Sequence, residues 1–196
     1  MSNALTQFAQ IKAFVFDIDG VMTDGSVHVL ETGEHYRTFH IRDGYAIEKA
    51  REAEYNLCVI TGGGHKGVKK RLENLKFQDI YFGLGGKDKL DTYLSWLEKI
   101  GLDESQILYM GDDVPDYPVM KLVGLTCCPN DAAEEIQQIS NYISDKKIVD
   151  AYKADNDFWI TRNEYMGNKI VEITKQRNPK RLVVINGLSH KYYLLD

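Results

Sequence analysis

Short apolar runs alternate along most of the chain with segments of helical periodicity. The runs cover residues 11–16, 57–60, 80–83, 107–110 and 125–128. Their aromatic and β-branched residues predict buried strands. The segments over residues 43–53, 65–76, 85–101, 115–122 and 131–139 predict helices. Regular alternation of strand and helix predicts an α/β fold, a doubly wound parallel sheet with helices on both faces.

Two parts of the chain depart from this alternation. Residues 26–40 place β-forming residues on both sides of a turn, which predicts a β-hairpin after the first strand. Such a hairpin is a flap over a site, an oligomer contact or a plain surface feature. Farther on, residues 164–176 predict a helix and residues 182–185 one more strand. We therefore expect a core over residues 1–150 and a C-terminal extension over residues 151–196, packed on the core or on a neighbouring subunit.

Polar side chains collect where the predicted strands end. Asp17 and Asp19 follow the first strand, Thr61 follows the second, and Asp112 and Asp113 follow the fourth. Ligands of parallel sheets bind at the carboxyl ends of the strands, so we expect these residues to converge. Neighbouring carboxylates are costly to bury unless a cation lies between them. A hard divalent cation with oxygen ligands fits this pattern.

The same edge of the sheet contains the elements of an anion site. Thr61 and the glycines at residues 62–64 offer a hydroxyl and unobstructed N–H groups, although a flexible turn has the same composition. Lys89 falls in the first turn of a predicted helix, where the helix dipole disfavours a cation. It therefore needs an acidic partner or a phosphate. On local chemistry alone, Lys87 is equally eligible.

Composition narrows the classes of function. The chain has 196 residues and a formal net charge of −5, which gives no indication of a nucleic-acid surface. No apolar run approaches the roughly 20 residues that a membrane span needs, and residues 1–10 lack the features of a signal peptide. Cys58, Cys127 and Cys128 fall in predicted strands, which indicates buried thiols and a reducing, cytoplasmic location. We expect neither a nucleic-acid nor a membrane partner.

Together these motifs resemble a known enzyme family. Residues 17–21, Thr61, Lys89 and residues 111–113 resemble the four motifs of the haloacid dehalogenase superfamily of phosphatases. The resemblance is narrowed to one branch of this superfamily by three features. They are the sequence of residues 19–25, the hairpin that follows, and the lack of a large cap domain. That branch dephosphorylates 3-deoxy-D-manno-octulosonate 8-phosphate and the 9-phosphates of nine-carbon sialic-acid-type acids. The resemblance implies a capless Rossmann-like fold, Mg²⁺, and a homotetramer in which the hairpin of one subunit sits against the site of the next.

The resemblance also implies a role for each motif residue. Asp17 is expected to be the nucleophile that forms an aspartyl-phosphate, and Asp19 the general acid and then the base. The residues expected to hold Mg²⁺ are Asp17, the carbonyl of Asp19, and Asp112, with Asp113 orienting that site or binding directly. The residues expected to hold the phosphate are Thr61, Gly62 and Lys89.

The sequence indicates the substrate less clearly than it indicates phosphatase chemistry. Relatives of this kind commonly carry Arg (octulosonate group) or Glu (nine-carbon group) directly after the Thr/Ser-Gly pair. This chain has Gly63 there. We expect His65 or Lys66 to supply substrate contacts near Gly63 instead. The expected substrate is a sugar acid phosphate, first 3-deoxy-D-manno-octulosonate 8-phosphate. A nine-carbon acid 9-phosphate, another small phosphate ester, and a binding subunit without activity are the alternatives.

Overall fold

The computed structural model describes residues 8–84 and 86–144, and the backbone of two short strands nearer the C-terminus. Residues 164–176, predicted as a helix, lie outside the described residues, so the division into a core and an extension stays a prediction. The strands are β1 Ala13–Phe16, β2 His28–Val29, β3 His35–Tyr36, β4 Asn56–Ile60, β5 Asp79–Tyr81, β6 Ile107–Met110, β7 Leu125–Pro129, β8 Tyr142–Ser144, β9 Leu182–Val183 and β10 Leu194–Leu195.

The helices follow the strands closely, as the alternation predicted. They are α1 Ile41–Glu52, α2 Lys66–Asn74, α3 Gly86–Ile100, α4 Tyr117–Met120 and α5 Glu134–Ile139, with 3₁₀ turns at Glu104–Gln106 and Val114–Asp116. The helix predicted over residues 115–122 is thus divided into a 3₁₀ turn and the short α4. Asp113 begins this region by accepting a hydrogen bond from the backbone N–H of Val114 at 2.8 Å.

Six strands form one sheet in the order β5-β4-β1-β6-β7-β8, and every pair in it is parallel. Strand β1 is central, and its last residue, Phe16, pairs with Val59 of β4 and Met110 of β6. The loops that follow these three strands therefore emerge side by side. This topology confirms the predicted doubly wound α/β fold.

Alternate side chains of β1 pack into two apolar layers. Phe14 and Phe16 contact the layer covered by α1 and α2, whereas Val15 contacts the layer covered by α3, α4 and α5. Trp96 of α3 is 1% exposed and packs in the second layer. Burying a large apolar side chain contributes about 1.5–3 kcal/mol, so the two layers fix the sheet on which the strand-end loops stand.

The cysteines are buried and free, as the sequence predicted. Cys58 lies in β4, and Cys127 and Cys128 lie in β7. Burial raises the pKa of all three thiols, which keeps them in the unreactive protonated form. None of the described helices combines the length and the apolar character that a membrane crossing requires.

The predicted hairpin is present but has short strands. Within residues 26–40, β2 and β3 pair antiparallel, and the rings of His28 and Tyr36 stack with centroids 4.6 Å apart. The segment between β1 and α1 contains no larger insertion, and the described residues include no cap domain. Strand β8 was not predicted, because its three residues show no apolar run and gain their pairing only from β7.

Candidate active site

The loop after β1 is shaped by a buried threonine. The hydroxyl of Thr23 donates to the carbonyl of Ile18 at 3.2 Å and accepts from the N–H groups of Gly20 and Gly25 at 3.3 and 3.4 Å. Its side chain has no solvent exposure. These three bonds hold residues 17–25 in a compact turn that keeps both Asp17 and Asp19 at the end of the strand.

Gly20 lets the β1 loop meet the β6 loop. Its φ of +85° lies in the left-handed region that favours glycine. A Cβ atom built at this position would lie 1.8 Å from Oδ2 of Asp112. Because that distance is far shorter than a van der Waals contact, only glycine leaves room for the Asp112 carboxylate in this position beside the β1 loop.

These loops enclose a cleft of about 390 Å³ at the carboxyl ends of the strands. Its lining residues are Asp17, Asp19, Gly25, Thr61, Gly62, Gly63, Leu84, Lys89, Asp112, Asp113, Pro115 and Asp116. The structure thus brings together the predicted nucleophile, acid, phosphate-binding and metal-binding residues. The predicted substrate residues His65 and Lys66 are not in this lining.

Lys89 is the buried cation of the cleft. It lies in the first turn of α3 and is 3% exposed. Its Nζ donates to Oδ1 of Asp116 at 2.7 Å and forms an ion pair with Oδ1 of Asp17 at 3.2 Å. Burial acts to lower the pKa of Lys89, but the charges of Asp116 and Asp17 outweigh it and raise the pKa. Lys89 is therefore protonated, and it finds the acidic partners that its place in the helix required.

Asp116 was not predicted as a site residue from the sequence, although its carboxylate organises the β6 loop. Its carboxylate is fully buried and accepts from Lys89 and from the hydroxyl of Tyr109, the latter at 2.6 Å. Its second oxygen accepts from the N–H groups of Asp112 and Asp113 at 3.3 and 3.5 Å. The available signal was the requirement of Lys89 for an acid. The sequence does not show which carboxylate of residues 112–116 turns inward.

The acidic residues fit a divalent cation. Oxygen atoms of Asp17, Asp112 and Asp116 lie within 4.8 Å of one another, and Oδ1 of Asp112 is buried without a hydrogen-bond partner. Burial, with the charge of Asp116, raises the pKa of Asp17 to about 6. Burial, with the charge of Asp17, raises the pKa of Asp112 to about 7. Asp116 already accepts hydrogen bonds from Lys89 and Tyr109. Asp17 and Asp112 are therefore the carboxylates that are better placed to bind a metal ion.

The Thr61 loop offers hydrogen-bond donors to the cleft. Thr61 directly follows β4 and is 2% exposed, and its hydroxyl accepts from the N–H of Gly63 at 3.3 Å. A hydroxyl that accepts one bond can still donate its hydrogen to an anion. Gly62 and Gly63 line the cleft beside it. The geometry is therefore suited to holding phosphate oxygens, as the motif predicted.

Three predicted residues lie at the mouth of the cleft or outside its lining. Asp113 lies at the exposed mouth of the cleft, where its side chain bonds the N–H of Val114. His65 precedes α2 and contacts the hairpin, with its ring centroid 5.2 Å from that of His35. Lys66 is exposed at the start of α2. Neither His65 nor Lys66 lines the cleft, so the expectation that one of them contacts substrate stays a prediction.

Arg37 is the second residue that the sequence reasoning missed. It follows β3, and its Nε and Nη2 donate to the two oxygens of Asp19 at 2.7 and 3.0 Å. Strand alternation gave no signal for it, because both residues of the preceding β3 are exposed. The hairpin is thereby tied to the candidate general acid.

Comparison with known proteins supports the family resemblance. Residues 83–154 match haloacid dehalogenase-like hydrolases. The chain is 32% identical over 143 residues to the 3-deoxy-D-manno-octulosonate 8-phosphate phosphatase KdsC of Salmonella typhi, covering 73% of this chain and 75% of that protein. The KdsC protein of Escherichia coli K12 is 31% identical over 143 residues, with the same coverage.

Solved structures give the same result. The 3-deoxy-D-manno-octulosonate 8-phosphate phosphatase of Yersinia pestis aligns with a TM-score of 0.69 at 31% identity, covering 72% of this chain and 76% of that one. The corresponding Moraxella catarrhalis enzyme, in complex with magnesium, phosphate and KDO, aligns with a TM-score of 0.70 at 25% identity over 84% and 99%. The chain belongs to the haloacid dehalogenase-like hydrolases. It is a phosphatase of that family, as the motifs predicted.

Proposed function

We propose that this phosphatase hydrolyses the phosphomonoester of a 2-keto-3-deoxy sugar acid, with 3-deoxy-D-manno-octulosonate 8-phosphate as its substrate. The observation that carries the proposal is a cleft with Asp17 beside Lys89 in a chain similar to octulosonate 8-phosphate phosphatases. The magnesium, phosphate and KDO bound to the Moraxella catarrhalis relative support the same substrate class.

The residues of the cleft suit a two-step transfer through Asp17. A carboxylate oxygen of Asp17 attacks phosphorus, a P–O bond to Asp17 forms, and the ester P–O bond breaks. Asp19 donates a proton to the departing sugar alkoxide. In the second step Asp19 removes a proton from water, which attacks the aspartyl-phosphate and releases inorganic phosphate. Lys89, paired with Asp17, neutralises negative charge throughout.

We propose Mg²⁺ as the metal, held by Asp17, Asp112 and the carbonyl of Asp19. Two carboxylates 4 Å apart repel by about 4 kcal/mol at an effective dielectric constant of 20, and a phosphate dianion adds to this repulsion. The raised pKa values of Asp17 and Asp112 reflect the same unfavourable charge. When bound, the metal supplies positive charge that allows carboxylate and phosphate to approach each other.

We further propose a homotetramer in which the hairpin covers a neighbouring subunit. The support is a set of exposed apolar side chains on the hairpin. Val29 is 64% exposed, Tyr36 is 50% exposed, and Leu30 is 45% exposed. Val29 lies on one face of the hairpin, and Tyr36 lies on the other. Exposed apolar side chains of this kind favour packing against another protein surface. Light scattering of the wild type and of Val29→Glu tests this, because the substitution should lower the oligomeric mass. The cytoplasmic location stays a prediction.

The function is tested by measuring phosphate release from 3-deoxy-D-manno-octulosonate 8-phosphate, with Mg²⁺ and with EDTA. Turnover should require the metal and should be lost in Asp17→Asn, which keeps the shape of the nucleophile. Asp91→Asn is the matched control, since this carboxylate is exposed on α3 and does not line the cleft. Activity that persists in Asp17→Asn would contradict the assigned nucleophile.

A nine-carbon acid 9-phosphate is the second candidate substrate. Gly63 supports this nine-carbon candidate, because the cleft wall has no side chain at this position that would limit the length of the sugar. The two candidates separate by their kcat/KM values measured side by side. A higher value for the nine-carbon ester would replace the first proposal and leave the phosphatase chemistry unchanged.

A further inference from the structure

Arg37 is placed at the cleft by the hairpin of its own chain. It directly follows β3, and its side chain is 7% exposed, whereas that of the preceding Tyr36 points to solvent. The guanidinium meets Asp19 through two hydrogen bonds, from Nε at 2.7 Å and from Nη2 at 3.0 Å. A bidentate contact of this kind fixes the plane of the guanidinium as well as its position.

Only one edge of this guanidinium is used. Arginine offers five N–H donors in a rigid fork, and the edge formed by Nε and Nη2 faces Asp19. The other edge is formed by Nη1 and the second hydrogen of Nη2. Nη1 is buried and has no hydrogen-bond partner among the described residues. Buried donors are normally satisfied, so an unpaired Nη1 on a side chain that is 93% buried indicates a missing acceptor.

The guanidinium lies beside a lining residue of the cleft. A Cβ atom at Gly63 would be 3.9 Å from Nη2 of Arg37 and 3.9 Å from Oγ1 of Thr61. A ligand atom in the space that the missing side chain leaves open can therefore approach the candidate phosphate site and Arg37 together. This space is available only because residue 63 is glycine.

A substrate with two anionic groups requires a second cation in the cleft besides Lys89. A sugar acid phosphate has an anionic group at each end. Lys89 is already shared between Asp17 and Asp116. Of the described residues, Arg37 is the other buried cation in contact with an acidic residue of the cleft. Its free edge matches the two oxygens of a carboxylate.

We infer that Arg37 is a specificity-determining residue whose free Nη1–Nη2 edge binds the carboxylate of the sugar acid beside Gly63. This inference rests on the proposed function, because it assigns the recognition of that substrate class. Asp19 holds the guanidinium in place on one edge, and the substrate occupies the other. The hairpin thus contributes to substrate choice within its own subunit.

The test compares two esters of primary alcohols that need the same proton on the leaving oxygen. One is 3-deoxy-D-manno-octulosonate 8-phosphate, and the other is glucose 6-phosphate, which lacks a carboxylate. Arg37→Gln should lower kcat/KM for the acid by about 10- to 100-fold, mainly through KM. The value for glucose 6-phosphate should fall at least about tenfold less, because this ester loses only the effect of Arg37 on Asp19. Lys70→Gln, which removes an exposed cation that also pairs with a carboxylate, is the control.

The outcomes separate the inference from the proposed function. Equal losses on both esters would overturn the inference, because a residue that only positions Asp19 slows both. A wild type that prefers the acid, with an unchanged preference in Arg37→Gln, would overturn the inference alone. A wild type without any preference for the acid would overturn the proposed substrate class as well.

A second variant keeps the inference testable if the first variant misfolds. Arg37→Lys keeps a cation beside Asp19 but loses the planar fork and its second edge. Its kcat/KM for the acid should fall by about tenfold more than its kcat/KM for glucose 6-phosphate. Full retention of the preference in Arg37→Lys would overturn the inference even if Arg37→Gln fails to fold.

Discussion

Replacing Asp116 by Asn tests whether the buried pair with Lys89 holds the site together. The Asp116 carboxylate is fully buried and its Oδ1 lies 2.7 Å from Nζ of Lys89. At an effective dielectric constant of 20, this distance corresponds to roughly 6 kcal/mol of gross attraction. Breaking one side of a buried pair costs about 3–5 kcal/mol of the free energy of unfolding. Since Asp17 remains as a partner at 3.2 Å, we expect about 3 kcal/mol.

The assay is urea denaturation of the EDTA-treated protein, followed by circular dichroism. A loss of about 3 kcal/mol lowers the denaturation midpoint by about 1–3 M, because small proteins have slopes of about 1–3 kcal/mol per molar urea. Asp113→Asn is the matched control, because that exposed residue caps Val114 and Asn caps equally well. If the two variants denature at the same urea concentration, the pair with Lys89 gives no net stabilisation and the reasoning is refuted.

Three further predictions concern the cleft itself. Gly20→Ala should weaken Mg²⁺ binding by about 10- to 100-fold in a calorimetric titration, because Cβ displaces Asp112, and unchanged affinity would contradict that clash. Thr61→Val should lower kcat by about 100-fold, with KM and the denaturation midpoint as controls. Between the ordinary carboxyl pKa of 3.8 and about 7, the folded metal-free protein binds more protons at Asp17 and Asp112 than the unfolded chain does. Its stability should therefore fall as pH rises through this range, and Mg²⁺ should reverse the trend.

The strands and the polar residues at their ends were predictable because both signals are local. Apolar runs of four residues mark β1, β4 and β6, and a polar residue follows each run within two positions. The parallel arrangement then requires these ends to meet at one edge. Asp17, Thr61 and Asp112 could accordingly be placed together without coordinates.

The partners of the charged residues were less predictable, because they depend on contacts distant in sequence. Lys89 and Asp116 are 27 residues apart, and Arg37 and Asp19 are 18 apart. The sequence indicated that Lys89 needed an acid but could not choose among the carboxylates of the β6 loop. His65 and Lys66 were predicted from their sequence proximity to Gly63, whereas Arg37 reaches the same place from the hairpin, 26 residues earlier in the chain.

The sequence by itself determined the fold class and the family, because periodicity and motif spacing are properties of the chain alone. The tertiary structure decided which side chains pair, since pairing requires the packing that closes the loops around the sheet. Gly20 shows the difference most clearly. Its place in the motif is visible in the sequence, but only the packed loops show that a Cβ atom there would collide with Asp112.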